Sequence, residues 1–313
     1  MQKKNIIFFG AGNIVTGYQS NLKNCHLKSL CENNSYNILG VVDSNIKNAK
    51  IFSEYSGSKI YEISDLKSLD IDIIAICTPT ETHYELINHI VSNGIHPKCF
   101  FCEKPFTNSL KTAKYTLSNL QKNNIGLIIG YQRSFLSNFN NIFSGYRNNE
   151  YGNLLTADIK YSKGLLNNGS HALDLLFCLF NGIQLDGFGK SFEDYNDEDL
   201  SAEVYFEHRG RSVTLTPLNE KSFSIFEVDL IFDKKRFRFT DNCFNLEEYL
   251  IQDDANYPGY FSISSRGYSK TNMENALDEM WLEINNMVED KNFFSIDRIL
   301  FPHQIVDKFR SSE

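Results

Sequence analysis

Short apolar runs recur through the first 135 positions, separated by stretches whose apolar residues return every three or four places. The runs Asn5–Phe9, Ile38–Val42, Ile71–Cys77, Lys98–Cys102 and Gly126–Tyr131 are apolar nearly throughout, which predicts strands buried on both faces. Between them, Ile14–Leu30, Ile46–Tyr55, Thr82–Asn93 and Ser109–Lys122 carry the spacing of amphipathic helices. This alternation predicts an α/β arrangement: a doubly wound parallel sheet with helices on both faces and right-handed crossovers.

Beyond about residue 135 the pattern changes. A helix near Phe135–Tyr146, a strand at Leu154–Tyr161 and an apolar helix at Ser170–Phe180 precede consecutive strand-like runs at Leu200–His208, Arg211–Pro217, Ser224–Phe232 and Lys235–Thr240. Asp233-Lys234-Lys235 reads as the hairpin turn between the last two. The alternating aromatics of Phe223–Phe239 read as core or an oligomer interface. Strands in succession predict a largely antiparallel sheet in an α+β domain. Helices at Asn272–Glu289 and Ile296–Phe309 close the chain, and Asn242–Arg266 carries no assignable pattern. The expected domains are 1–133 and 134–313, with the C-terminal helices able to pack back on the first.

Composition narrows the function classes. The 313 residues are 42% hydrophobic and 22% charged, as in a soluble globular protein, and the net charge of −8 gives no electrostatic case for nucleic acid. No apolar stretch approaches the roughly 18 residues of a membrane span. The start, Met1–Phe9, is too short for a signal peptide and runs into a glycine turn. Seven cysteines without a regular framework predict buried thiols in a reducing cytoplasm. Cys99 and Cys102 have C-x-x-C spacing, but on a strand they point to opposite faces, so no metal site is expected.

Candidate chemistry begins at Gly10-Ala11-Gly12, between the first strand and the first helix. Gly10 suits a tight turn, and Gly12 lets the backbone approach a pyrophosphate resting near Asn13 and Ile14. Val15 stands where a third glycine is usual. The second strand ends in Asp43, whose carboxylate can accept ribose hydroxyl protons and repel a 2′-phosphate. A dinucleotide cofactor is therefore expected, NAD in preference to NADP. The glycine loop lies further from Asp43 than usual, which predicts an extended first helix around Cys25–Asn34. After the third strand, Cys77-Thr78-Pro79-Thr80-Glu81-Thr82-His83 places Thr80 as a helix N-cap, with Thr78, Thr80 and His83 as candidate cofactor contacts. Glu103-Lys104-Pro105 then sends an acid and a base to the open edge of the sheet, in a turn compatible with a cis proline. Lys104 there can hydrogen-bond a substrate hydroxyl, and Glu103 joins it as a cofactor contact. Arg133 can clamp a phosphate or carboxylate, or pair with an acid of the protein.

In order, G-A-G-N, V-V-D, C-T-P-T-x-T-H, E-K-P, Gly130-Tyr131-Gln132-Arg133-Ser134-Phe135 and the run Lys163–Leu176 resemble the glucose–fructose oxidoreductase / inositol dehydrogenase / MocA family of NAD(P)-dependent oxidoreductases. The resemblance implies that Lys104 lies beside nicotinamide and substrate, and that His171 contacts the reacting hydroxyl as acid/base. Asn167 stands where many members carry an aspartate, four residues before the histidine, so a His–Asp proton relay is not expected, although Asn167 can orient a hydroxyl. Asp174, one turn on, reads as structural. Tyr161 and Lys163 are candidate substrate contacts.

The implied activity is NAD-dependent oxidation of a secondary hydroxyl of a sugar or nucleotide sugar, in its sharpest form UDP-N-acetylglucosamine at C3. Face-to-face assembly as a homodimer or homotetramer is implied too. The alternatives are a free polyol, sugar phosphate or non-sugar substrate, and a non-catalytic dinucleotide sensor.

Overall fold

The computed structural model describes residues 3–18, 24–181, 183–196 and 198–313. They fall into two compact units, Met1–Phe135 with Asn275–Gln304, and Leu136–Glu274 with Ile305–Glu313.

In the first unit the elements run β1 (Lys4–Phe9), α1 (Asn13–Thr16), α2 (His26–Glu32), β2 (Tyr36–Val42), α3 (Ile46–Ser56), β3 (Lys59–Ile60), β4 (Ile73–Ile76), α4 (Thr80–Ser92), β5 (Cys99–Cys102), α5 (Leu110–Lys122) and β6 (Gly126–Ile129). The six strands form one parallel sheet in the order β3-β2-β1-β4-β5-β6. Strands β4 and β5 are buried at every position, as a sheet covered on both faces requires. The strand order reverses direction at β1/β4, and the carboxyl ends of the strands there form the crevice that binds ligands in such sheets. Local signals start the helices: Asn45 accepts the Lys47 N–H ahead of α3, and Ser109 accepts that of Thr112 ahead of α5. Gly57 ends α3 in the left-handed conformation.

The second unit holds α6 (Ser137–Arg147), β7 (Leu154–Tyr161), α7 (Gly169–Phe180), β8 (Gln184–Asn196), β9 (Asp199–His208), β10 (Arg211–Pro217), β11 (Phe226–Phe232), β12 (Lys235–Thr240), β13 (Asn245–Asp253) and β14 (Phe261–Lys270). Its eight strands are ordered β14-β13-β12-β11-β7-β10-β9-β8, with only β7 and β10 paired in parallel. Alternation along β11, buried at every second residue, puts Phe226, Val228, Leu230 and Phe232 in the core. Phe237 and Phe239 join them, whereas Phe223 is exposed. Finally come α8 (Ala276–Asp290), within the first unit, and α9 (Ile296–Ser312), across which the division between units falls.

Three elements depart from the sequence expectation. The single helix expected over Ile14–Leu30 is instead the four-residue α1 and a separate α2, and residues 19–23 of that segment lie outside the described ones. The unassigned Asn242–Arg266 contributes most of the β13–β14 hairpin, whose second strand is exposed at nearly every position and so carries no period-two signal. Strand β8 went unrecognised because its glycines and acids interrupt the apolar pattern, and its register against β9 shifts three times.

No two of the seven cysteines are disulfide-bonded; Cys31 is exposed. Burial pushes the Cys99 and Cys102 thiols on β5 well above the usual thiol range. Among the described residues no helix is long and apolar enough to cross a membrane.

Candidate functional site

The loops after β1, β2, β4, β5 and β6 all leave the same edge of the parallel sheet, and they carry the residues singled out in the first half of the sequence. Gly10 turns with φ +90°, and a Cβ there would stand 2.8 Å from the Cys77 carbonyl oxygen, so only glycine fits. Gly12 differs: a Cβ would meet nothing within 4 Å, which leaves open space in front of the turn. Asn13 and Ile14 follow at exposed positions, and as the first residues of α1 their amides have no intrahelical partner. Val15, at the place of the missing third glycine, is wholly buried.

Asp43 is half-buried at the end of β2. One carboxylate oxygen accepts the Ala11 N–H at 2.6 Å and the other the Asn45 N–H at 2.7 Å. The acid is therefore part of the glycine turn's own support. Its exposed lone pairs suit ribose hydroxyls. These features fit a dinucleotide: a backbone turn with room in front and a carboxylate fastened beside it.

After β4, Thr78 accepts the Thr82 hydroxyl at 2.7 Å on its own Oγ1. Thr80 does not cap α4; it is the first helical residue, Pro79 occupies the cap, and no side chain caps the end. The expected His83 contact is also corrected. Its ring is fully buried, with Nε2 2.8 Å from the Thr78 carbonyl and Nδ1 3.2 and 3.1 Å from those of Pro105 and Phe106. His83 ties the β4 and β5 loops together rather than offering a nitrogen to a ligand.

Beyond β5, the Lys104–Pro105 peptide is cis. Glu103 takes the Lys104 N–H on Oε2 at 3.2 Å, and its Oε1 lies 2.8 Å from His26 Nε2. Arg133 is buried in a short 3-10 turn over Gln132–Phe135.

The second unit gathers the remaining candidates on one loop. Tyr161 ends β7, fully buried, with its hydroxyl donating to the Ala202 carbonyl at 2.7 Å and accepting the Ala202 N–H at 2.9 Å. Burial pushes its phenol far above the usual range. That removes it as a substrate contact, because both of its hydrogen-bonding roles are filled by backbone. Lys163 adopts φ +72°, and its ammonium pairs with Glu220 at 3.0 Å, which weakens its case as a substrate contact.

Gly164–Asn168 then forms one π-helical turn that runs into α7. The four-residue spacing from Asn167 to His171 thus crosses from π to α geometry rather than following one α turn. Asp199 accepts the Leu166 N–H at 2.8 Å on one oxygen and the Asn167 N–H at 2.7 Å on the other. Asp194 accepts the Lys163 N–H at 2.6 Å and the Ser201 hydroxyl at 2.9 Å. Two carboxylates thereby hold the loop that delivers Asn167 and the buried His171, while Asp174 is wholly buried further along α7. Sequence reasoning missed Asp194, Asp199 and His26. Nothing in the chain order links residues about 30 or 80 positions apart to the loops they support.

Residues 4–131 match the family model described as an oxidoreductase family with an NAD-binding Rossmann fold. The parallel sheet of the first unit is therefore a Rossmann fold of the kind this family model describes. Over those residues, about two fifths of the chain, it is similar to the glucose–fructose oxidoreductase / inositol dehydrogenase / MocA family.

Among curated relatives, inositol 2-dehydrogenase of Rhizobium meliloti is 29% identical over 115 residues, which cover 36% of this chain and 34% of that protein. Glucose-6-phosphate 3-dehydrogenase of Bacillus subtilis is 28% identical over 160 residues, covering 51% of this chain and 43% of that protein. The matched regions thus span between a third and just over two fifths of these relatives' length. A solved UDP-N-acetylglucosamine 3-dehydrogenase from Acidithiobacillus ferrooxidans shares the fold, with a TM-score of 0.74 and 15% identity over 100% of this chain and 98% of that one.

Proposed function

We propose that the protein is an NAD-dependent dehydrogenase oxidising a secondary hydroxyl of a sugar, and in particular of a nucleotide sugar such as UDP-N-acetylglucosamine at C3. The observation that carries this reading is the convergence of Gly10–Gly12, Asp43 and the Glu103–Lys104 turn on the carboxyl edge of one parallel sheet.

Gly10, Gly12, Asn13 and Ile14 would hold the pyrophosphate, Asp43 the adenosine ribose, and Thr78 and Glu103 the nicotinamide half. Asp43's charge disfavours a 2′-phosphate, which supports NAD over NADP. Bound there, the cofactor supplies the hydride acceptor. His171 takes the hydroxyl proton as the carbonyl forms, and Lys104 donates a hydrogen bond to the oxygen as negative charge develops. Asn167 holds no proton to relay, so it orients a neighbouring hydroxyl through its amide, and Arg133 is the candidate for an anionic group of the substrate. A cytoplasmic location and homo-oligomeric assembly are part of the reading.

The test is reduction of NAD by purified protein across UDP-sugars, GDP-sugars, free polyols and sugar phosphates. Turnover confined to a nucleotide sugar, with a 3-keto product, is the expected result. Turnover only of a polyol or sugar phosphate would move the substrate assignment. Tight NAD binding with no turnover on any of them would overturn the enzymatic reading in favour of a dinucleotide sensor.

A further inference from the structure

The proposed reaction leaves unused His26 and Trp281, which form a hydrogen-bonded chain directly behind the Glu103–Lys104 turn. Trp281 on α8, fully buried, donates its indole N–H to His26 Nδ1 at 3.1 Å. His26, also fully buried at the start of α2, places Nε2 2.8 Å from Glu103 Oε1. The other oxygen of Glu103 accepts the Lys104 N–H. An indole can only donate, so Nδ1 is an acceptor and the proton of the neutral ring sits on Nε2, donating to Glu103. The His26–Glu103 contact is thus a directed hydrogen bond whose tautomer Trp281 sets.

Packing holds the chain from every side. Phe101 meets the His26 ring edge-on at 5.3 Å between centroids and lies 4.7 Å from the Trp281 ring. The Tyr36 hydroxyl donates to the Trp281 carbonyl. Beside the same oxygen, a Cβ at Gly130 would stand 2.9 Å from Glu103 Oε1, so glycine there leaves the carboxylate its place.

We propose that His26 and Trp281 are positioning residues for Lys104. They fix the Glu103 carboxylate, and through it the backbone amide from which the Lys104 side chain departs. The role given to Lys104 rests on the dehydrogenase reading; the relay itself does not. Simple core filling makes a different demand: an apolar residue of similar size would replace His26 without local consequence.

Three variants of the full chain separate these roles: His26→Leu, His26→Gln and Trp281→Phe. Two readouts are taken, sugar-dependent kcat and KM, and amide hydrogen exchange of the peptide covering residues 103–106. His26→Leu removes the donor to Glu103, so exchange in that peptide rises about tenfold while β1 and β4 keep wild-type protection. It also lowers kcat about tenfold while leaving the KM for NAD within about twofold. His26→Gln, which keeps an N–H to donate, recovers most of both effects, and Trp281→Phe gives a smaller loss of each.

Wild-type exchange at residues 103–106 in His26→Leu overturns the relay. So does exchange that rises equally across the whole first unit and is not recovered by glutamine. Should the leucine variant fail to fold, wild-type exchange and kcat in Trp281→Phe overturn the proposal instead. The exchange experiment needs no turnover: a chain inactive on every nucleotide sugar, polyol and sugar phosphate sinks the dehydrogenase reading while the relay is still judged at residues 103–106.

Discussion

The Asp43 carboxylate accepts the Ala11 N–H at 2.6 Å, so the acid at the end of β2 and the glycine turn after β1 form one hydrogen-bonded unit. The ribose contact proposed for Asp43 would be a second job beside this one, and substitution can separate the two. Asp43→Asn keeps an acceptor for Ala11 but loses the charge offered to a ribose. NAD binding then weakens about tenfold or more, while NADP binding holds or improves. Asp43→Ala also leaves the Ala11 and Asn45 amides to water, at a cost of about 1 kcal/mol in stability. Calorimetric titration with both dinucleotides, beside thermal denaturation, checks each part. An unchanged NAD-to-NADP ratio in Asp43→Asn would remove the ribose role.

The two glycines of the turn predict opposite outcomes. Gly10→Ala forces a Cβ to 2.8 Å from the Cys77 carbonyl oxygen at a φ of +90°, and destabilises the fold by roughly 1–3 kcal/mol. Gly12→Ala meets nothing within 4 Å, so its melting temperature stays near wild type while NAD affinity falls, because the methyl occupies the space in front of the turn. Equal losses of stability in both variants would contradict this division.

Much of this was legible in the chain. Continuous apolar runs such as Ile73–Ile76 and Cys99–Cys102 report burial on both faces, and that sufficed for a doubly wound sheet with Gly10, Asp43 and Lys104 at its edge. Hydrogen-bond roles set by distant residues were not legible. Thr80 and Tyr161 carry the right chemistry for a cap and a substrate contact, but Pro79 occupies the cap and Ala202 takes both roles of the phenol. Strand β14 escaped notice for the opposite reason: it buries almost nothing, and periodicity reports only what is buried.

The proposed chemistry sets the sizes of two active-site losses. Lys104→Ala removes a donor to the developing alkoxide and lowers kcat by about 10²–10³, and His171→Ala removes the base and lowers it by about 10²–10⁴. NAD affinity, measured without sugar, stays within a few-fold in His171→Ala. Full activity in either variant would strike that residue from the mechanism.

In the second unit, Asp199 holds the turn that carries Asn167 by accepting two successive amides. Asp199→Ala leaves both without their charged acceptor, at a cost of about 2 kcal/mol. Sugar KM then rises and kcat falls, because Asn167 and His171 lose their fixed register. NAD binding, assigned to the first unit, is unchanged. A parallel fall in NAD affinity would show a general disruption instead of a local one.

Asp158 gives the acid limb of stability a specific source. Burial alone would raise its carboxyl pKa, but Lys160 at 2.8 Å and the Thr214 and Thr216 hydroxyls, each at 2.7 Å, outweigh burial and hold it below the ordinary 3.8. A carboxyl depressed on folding binds its proton more weakly in the native state than in the unfolded chain. Its contribution is therefore complete above the ordinary value and is lost as pH falls below 3.8 through the lower native value. Asp158→Asn should lower stability near neutrality and flatten its fall below about pH 4, where the wild-type carboxylate is being protonated. Urea denaturation of both proteins from neutrality to acid tests this. Parallel curves through the acid range would mean that Asp158 titrates alike in the folded and unfolded chains.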